Sequence, residues 1–140
     1  MTGLLKYYDH SYQRHQPLKY QHGDEKAHSK VIYSSVVALD DDSRRLVARG
    51  EVLCEITSGS GSGKYGPYSK TATDGRQTLA RNYAVVATKG VDVTLGDRPV
   101  GGWFADCVFD MSEMTFNGIS THGTSLTSLR TAFPQCIFDD

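Results

Sequence analysis

The sequence predicts a small, mainly β domain with one or two short helices, an α+β fold in which strands dominate. Three observations carry this expectation. Short apolar runs between Gly50 and Pro99 are joined by Gly-rich turns. Leu126, Leu129 and Phe133 stand at helical spacings of three and four. The first 30 residues are polar and have no aliphatic period. A chain of 140 residues suits one domain with a modest core, not two.

Residues 1–30 hold four of the eight tyrosines (Tyr7, Tyr8, Tyr12, Tyr20) and four of the five histidines (His10, His15, His22, His28). Their aliphatic anchors are Leu4, Leu5 and Leu18. Such a segment cannot bury enough apolar surface to fold alone. It is predicted as an N-terminal arm over 1–30, either a disordered tail or a segment that orders on a partner, ahead of a β-rich domain over 31–140.

Within that domain the β-branched run from Val31 to Leu39 predicts a strand, and Asp40-Asp41-Asp42-Ser43 predicts a turn. Strands follow at 45–48 and 51–56. In the second, Val52, Cys54 and Ile56 share one face while Glu51, Leu53 and Glu55 share the other. The Gly/Ser run at 58–64 predicts a flexible hairpin connection, followed by a short extended piece over 64–68. Thr73-Asp74-Gly75 opens a tight turn or a short helical stretch to Ala80. Strands are expected at 83–87 and 91–95, split by Lys89-Gly90, and again from Val100 to Phe109. Trp103 and Phe104 there fill the core or line an interface. Thr124 is the N-cap candidate of a helix over 124–133, and Pro134 then forces an extended exit through Cys136-Ile137-Phe138.

Net charge is -1, which gives no electrostatic case for a nucleic-acid partner. Residues 1–30 carry a net +2, and the remainder -3. No apolar run reaches the ~18 residues of a membrane span, and the first residues lack a signal-peptide core. A soluble protein made in a cytoplasm is expected. Cys54, Cys107 and Cys136 are an odd number without a CxxC pair and suggest no disulfide framework. Reduced core cysteines are expected.

Catalytic and metal patterns fit poorly. Asp40–Asp42 lacks the ligand spacing and distal Glu of a calcium loop. The Gly63-Lys64 pair has Ser58 and Tyr65 where a P-loop needs Gly and a hydroxyl. The N-terminal histidines match neither a helical pair nor a zinc finger, and the three cysteines lack paired zinc spacing. Ser60 and Ser62 formally fit a Gly-Xaa-Ser-Xaa-Gly elbow, but in a Gly/Ser run rather than a strained strand-to-helix turn. Ser120 near His122, and Cys107 with His122, lack supporting local sequence. No catalytic residue, cofactor or metal is expected. The alternatives are a small β-fold hydrolase using one of these Ser or Cys residues, and an adhesion module binding host glycans through exposed Tyr and Trp.

In their order, several strings resemble the head decoration proteins of lambda-like tailed phages. They are Ser43-Arg44-Arg45-Leu46-Val47-Ala48, Gly50-Glu51-Val52-Leu53, Ile56 with Gly63-Lys64-Tyr65 and Pro67-Tyr68, and Ala72-Thr73-Asp74-Gly75. Ala84-Val85-Val86, Val91-Asp92-Val93 with Gly96-Asp97, and Arg130-Thr131-Ala132-Phe133 follow. The likeness spans roughly residues 31–138 and is strongest from Gly50 to Asp97. No single string is specific; the order carries the weight. Two departures stand out: the N-terminal region is longer and more aromatic than the family pattern, and the stretch from Met111 to Leu129 is shorter and richer in Ser and Thr.

The resemblance implies a β-clip-like domain that forms a homotrimer on the outer surface of the virion, at threefold positions of the expanded capsid. The implied partners are the major capsid protein and two further copies of the chain. Residues 1–30 would then be the capsid-binding arm, with Leu4, Leu5, Tyr7, Tyr8 and Tyr12 as anchors. Tyrosine gives large contact area at low rotamer cost, and three weak arms on one body bind by avidity.

Overall fold

A computed structural model of the chain describes residues 12, 16–19, 25–116, 119–120 and 126–139. Among the described residues the fold is mainly β with one short α-helix. Five strands close a small barrel in the order β1-β4-β3-β5-β7. They are β1 (Lys26–Ile32), β3 (Val52–Glu55), β4 (Tyr65–Pro67), β5 (Ala84–Ala87) and β7 (Arg98–Ala105). Three two-stranded ribbons attach to it. β2 (Leu46–Val47) pairs antiparallel with β6 (Val91–Asp92), and β9 (Thr115–Phe116) pairs antiparallel with β10 (Ile119–Ser120). β8 (Val108–Asp110) lies parallel to β11 (Ile137–Asp139), which follows the helix α1 (Leu126–Ala132).

β3 and β5 are covered on both faces of the barrel wall. Ile32, Leu53, Tyr65, Val85, Ala87 and Val100 fill the interior, with Val37, Val47, Val91 and Val93 packed against them. The outer faces of β3, β5 and β7 present Val52, Cys54, Ala84, Val86 and Trp103 to a second core. Leu18, Phe109, Met114, Leu129, Phe133 and Phe138 cover that face. This explains why β3 and β5 lack polar alternation: a strand covered on both sides is apolar on both sides. The face split expected for β3 is therefore present, but neither face is solvated. Phe109 holds the second core together, with ring centroids 5.5 Å from Phe138, 6.2 Å from Trp103 and 6.3 Å from Phe133. Glu51 is buried with Thr115, whose hydroxyl donates to its carboxylate.

Several strand limits differ from expectation. The strand expected over 31–39 ends at Ile32, and Ser34–Val36 form a single 3-10 turn. Asp97 causes the break, since its carboxylate accepts the Ser34 N–H at 2.8 Å. Short polar side chains with backbone hydrogen bonds compete with a ladder in this way. The long strand expected from Val100 to Phe109 is split after Ala105, where Asp106 takes φ 58°. The stretch from Thr73 to Ala80 contains no helix. Gly75, at φ 114°, turns the chain beside Thr57, and the Asp74 carbonyl accepts the Thr57 and Ser58 N–H groups. The Gly/Ser connection is anchored at Gly61, where a β-carbon would lie 2.4 Å from the Tyr33 ring, while Gly59 and Gly63 face open space.

The expected boundary at residue 30 falls inside β1. Seven residues from Lys26 to Ile32 pair with β7. Further upstream, Leu18 is buried and bridges to Phe109, Lys19 N–H donates to Val108 O at 2.8 Å, and Asp110 N–H donates to Pro17 O at 2.6 Å. Residues 17–19 thus lie along β8 as part of the body. The composition hid β1 because its first four residues expose side chains on both faces, leaving no apolar alternation to read.

Candidate functional site

The barrel is closed unevenly. β1 and β7 pair along the whole of β1, but β1 meets β4 through one register pair, Ile32 with Tyr65, reinforced by Tyr33 N–H donating to Tyr65 O at 2.9 Å. From Lys26 to Val31 no strand of the described residues lies beside the β4-facing side of β1. A cleft of about 180 Å³ opens at this seam. Its floor is apolar, built from Tyr65, Ala84, Val85, Phe104 and Ala132, and its rim carries His28, Lys30, Arg81, Asn82 and Gln135.

Lys30 and Arg81 bring two cations to the rim beside the amides of Asn82 and Gln135, with no carboxylate among the lining residues. Lys30 Nζ stands 5.1 Å above the Tyr65 ring, and the His28 and Phe104 rings lie 4.3 Å apart. Burial first, then the neighbouring Glu55 and Cys54, pushes the Tyr65 phenol up to about 12, so it stays neutral. Asn82 sits at φ 72°, a left-handed conformation that Asn adopts more readily than most residues. A strand edge flanked by lysines is guarded against indiscriminate pairing. The same edge favours an extended segment bearing carboxylates, since main-chain bonds and charge then act together.

A second feature is the approach of the N-terminal stretch. Of the proposed anchors, Tyr12 alone lies among the described residues; Leu4, Leu5, Tyr7 and Tyr8 fall outside them. The Tyr12 carbonyl accepts the Arg49 N–H at 2.7 Å, and its half-buried side chain lines two shallow grooves. One groove runs past Leu39, Leu46 and Pro67, the other past Lys89, Val91 and Pro99. Arg49 stacks over Trp103 at 5.9 Å. Lys19 pairs with Asp139 at 2.9 Å.

The other sequence candidates are dispersed. Lys64, the pseudo-P-loop lysine, donates to Asp97 at 2.5 Å and lies over the Tyr33 ring. Ser60 and Ser62 sit on the turn from β3 to β4, and His122 lies outside the described residues. Cys54 is fully buried, and burial pushes its thiol up to about 12. Among the described residues no group of three or more His, Cys, Asp or Glu converges as a metal site. Trp103 is in the core, whereas Phe104 is half-buried at the cleft. The seam and its cationic rim were missed in the sequence because Lys30, Arg81 and Gln135 are brought together only by barrel closure.

No protein-family model, no curated protein and no solved structure matches the chain.

Proposed function

We propose that the chain is a structural virion protein: a trimeric head decoration protein that binds the expanded capsid and braces it against internal DNA pressure. The observation that supports this reading best is how the strings resembling that family interlock. Ser43–Ala48 joins Val91–Val93 through β2 and β6, with Val93 N–H donating to Arg45 O at 2.8 Å. Gly50-Glu51 joins β5 through Gly50 N–H to Ala87 O and Ala87 N–H to Glu51 O, both 2.9 Å. Gly63-Lys64 joins Gly96-Asp97 through the Lys64–Asp97 ion pair. Strings that are common one by one are bonded to each other as one unit, so their order has a structural meaning.

A stiff closed barrel suits a plug that must keep its shape under load. The cation-rimmed edge of β1 is the part of the body best suited to receive an acidic strand from a neighbouring subunit or the shell. Two experiments test the reading. Sedimentation velocity should give the mass of three chains; a monomer at working concentration contradicts the trimer. Cosedimentation with expanded lambda-like shells should occur with the full chain and weaken when residues 1–11 are removed. That truncation spares residues 16–19 and β1, which removal of 1–30 would destroy. Full binding by the truncated chain removes the arm from the account and leaves the plug.

A further inference from the structure

β8 and β11 run parallel with Phe109 opposite Phe138 and Val108 opposite Ile137. One residue earlier on each strand stands a cysteine. Ile137 N–H donates to Cys107 O at 2.9 Å, which carries the register back to the Cys107–Cys136 pair. Neighbouring strands lie about 4.8 Å apart, inside the Cα separation a disulfide spans. Side-chain direction agrees as well. Phe109 and Phe138 stack on the inner face, and residues two positions back point the same way. The two thiols are near enough to shift each other's ionisation, and the Cys107 thiol donates to Ala105 O at 3.2 Å.

Accessibility separates the two. Cys107 is buried, whereas Cys136 is half-buried between exposed Gln135 and Ile137. The neighbouring Cys107 thiol holds the Cys136 thiol below its ordinary range, and the same contact, with burial, pushes Cys107 up. Glu25 and Asp106 face the pair and oppose a second negative charge. One cysteine is thus the accessible nucleophile and the other stands behind it as the resolving thiol. Cys54 belongs to β3 and is sealed.

We propose that Cys107 and Cys136 form a thiol pair that a low-molecular-weight disulfide such as oxidised glutathione closes into a cross-link. The Cys136 thiolate attacks one sulfur of the glutathione disulfide, breaking its S–S bond and expelling a glutathione thiolate, which takes up the proton Cys136 released. Cys107 then loses its proton and attacks the Cys136 sulfur. The protein S–S bond forms, and the second glutathione leaves as thiolate and is protonated. Two protein thiols are oxidised and one glutathione disulfide is reduced to two thiols. The bridge ties the start of β11 to the chain between β7 and β8, closing a long loop that includes β8, β9, β10 and α1, and therefore restricts the unfolded chain. It needs no partner subunit.

The test uses the full chain, incubated with oxidised glutathione, quenched with acid, and alkylated under denaturing conditions. Expected is one alkylated cysteine, Cys54, a mass lower by two hydrogens without retained glutathione, and a Cys107–Cys136 peptide in a non-reducing digest. The unfolding midpoint should rise, and a reductant should return it. Cys107→Ser should trap glutathione on Cys136, Cys136→Ser should leave Cys54 and Cys107 reduced, and Cys54→Ala should close as the parent does. Three alkylated cysteines in the folded parent chain, a bridge to Cys54, or glutathione retained on Cys136 of the parent would each overturn the proposal. The parent chain alone decides the matter if a variant fails to fold.

Discussion

Replacing Gly102 by alanine tests whether the barrel is closed as tightly as the structure indicates. Gly102 points inward from β7, and a β-carbon there would lie 2.4 Å from Val85 Cγ2, 2.6 Å from Val85 Cβ and 3.1 Å from Val85 Cγ1. All three nearest atoms belong to one side chain, buried in the β5 wall. The added methyl forces Val85 or the strand to move, at about 1–3 kcal/mol. Val85→Ala alone removes two methyl carbons, about 1.6 kcal/mol of transfer energy at ~0.8 each. With the residual cavity it costs about 2–3 kcal/mol. Val85→Ala removes both Cγ contacts but keeps Cβ, 2.6 Å from the new β-carbon, so the double variant relieves the collision in part. It should therefore be more stable than the sum of the single effects by about 1 kcal/mol, read from urea unfolding with constant m-value. Additivity within about 0.5 kcal/mol would show that the two residues do not collide, and the tight closure would be refuted.

Three further outcomes follow from other parts of the molecule. Thr115→Val keeps the shape but removes the hydroxyl that donates to buried Glu51, so it should cost about 1–3 kcal/mol in urea unfolding; a neutral result would mean the bond contributes nothing. Hydrogen bonds from the Lys64 ammonium and the Ser34 N–H hold the Asp97 carboxyl below its usual range. That contribution is complete above the unfolded value of about 3.9 and disappears as pH falls through the lower folded value. The stability gap between the parent and Asp97→Asn should therefore narrow in acid, and a gap unchanged from pH 6 to strong acid would contradict the linkage. Lys30→Glu combined with Arg81→Glu reverses the charge of the seam; it should weaken shell binding at low salt while leaving the unfolding free energy within about 0.5 kcal/mol of the parent. Undiminished binding would remove the seam from the interface.

How far the sequence could be read depended on whether its signals were local. Val52–Glu55, Ala84–Ala87 and Val91–Asp92 announce themselves as strands because their β-branched residues are buried. The helix at 126–132 was visible through Leu129 and Phe133, both fully buried. β1 was not visible, because its exposed Lys, His and Ser side chains resemble the polar stretch before it, and pairing with β7 over a long sequence separation alone makes it a strand. The same holds for Leu18, an isolated leucine until Phe109 receives it. At the candidate site, Tyr12 was singled out for its aromatic area, yet its backbone carbonyl also ties it to the body by accepting the Arg49 N–H. Cys107 and Cys136 were read as separate core thiols because nothing local indicates the parallel register that aligns them.

The most direct test of the central claim is quantitative cosedimentation with shells of a lambda-like phage before and after expansion, under identical salt. The account predicts saturable binding to the expanded shell at three chains per local threefold position, and no binding to the unexpanded one. Equal binding to both shells, or none to either, would contradict it.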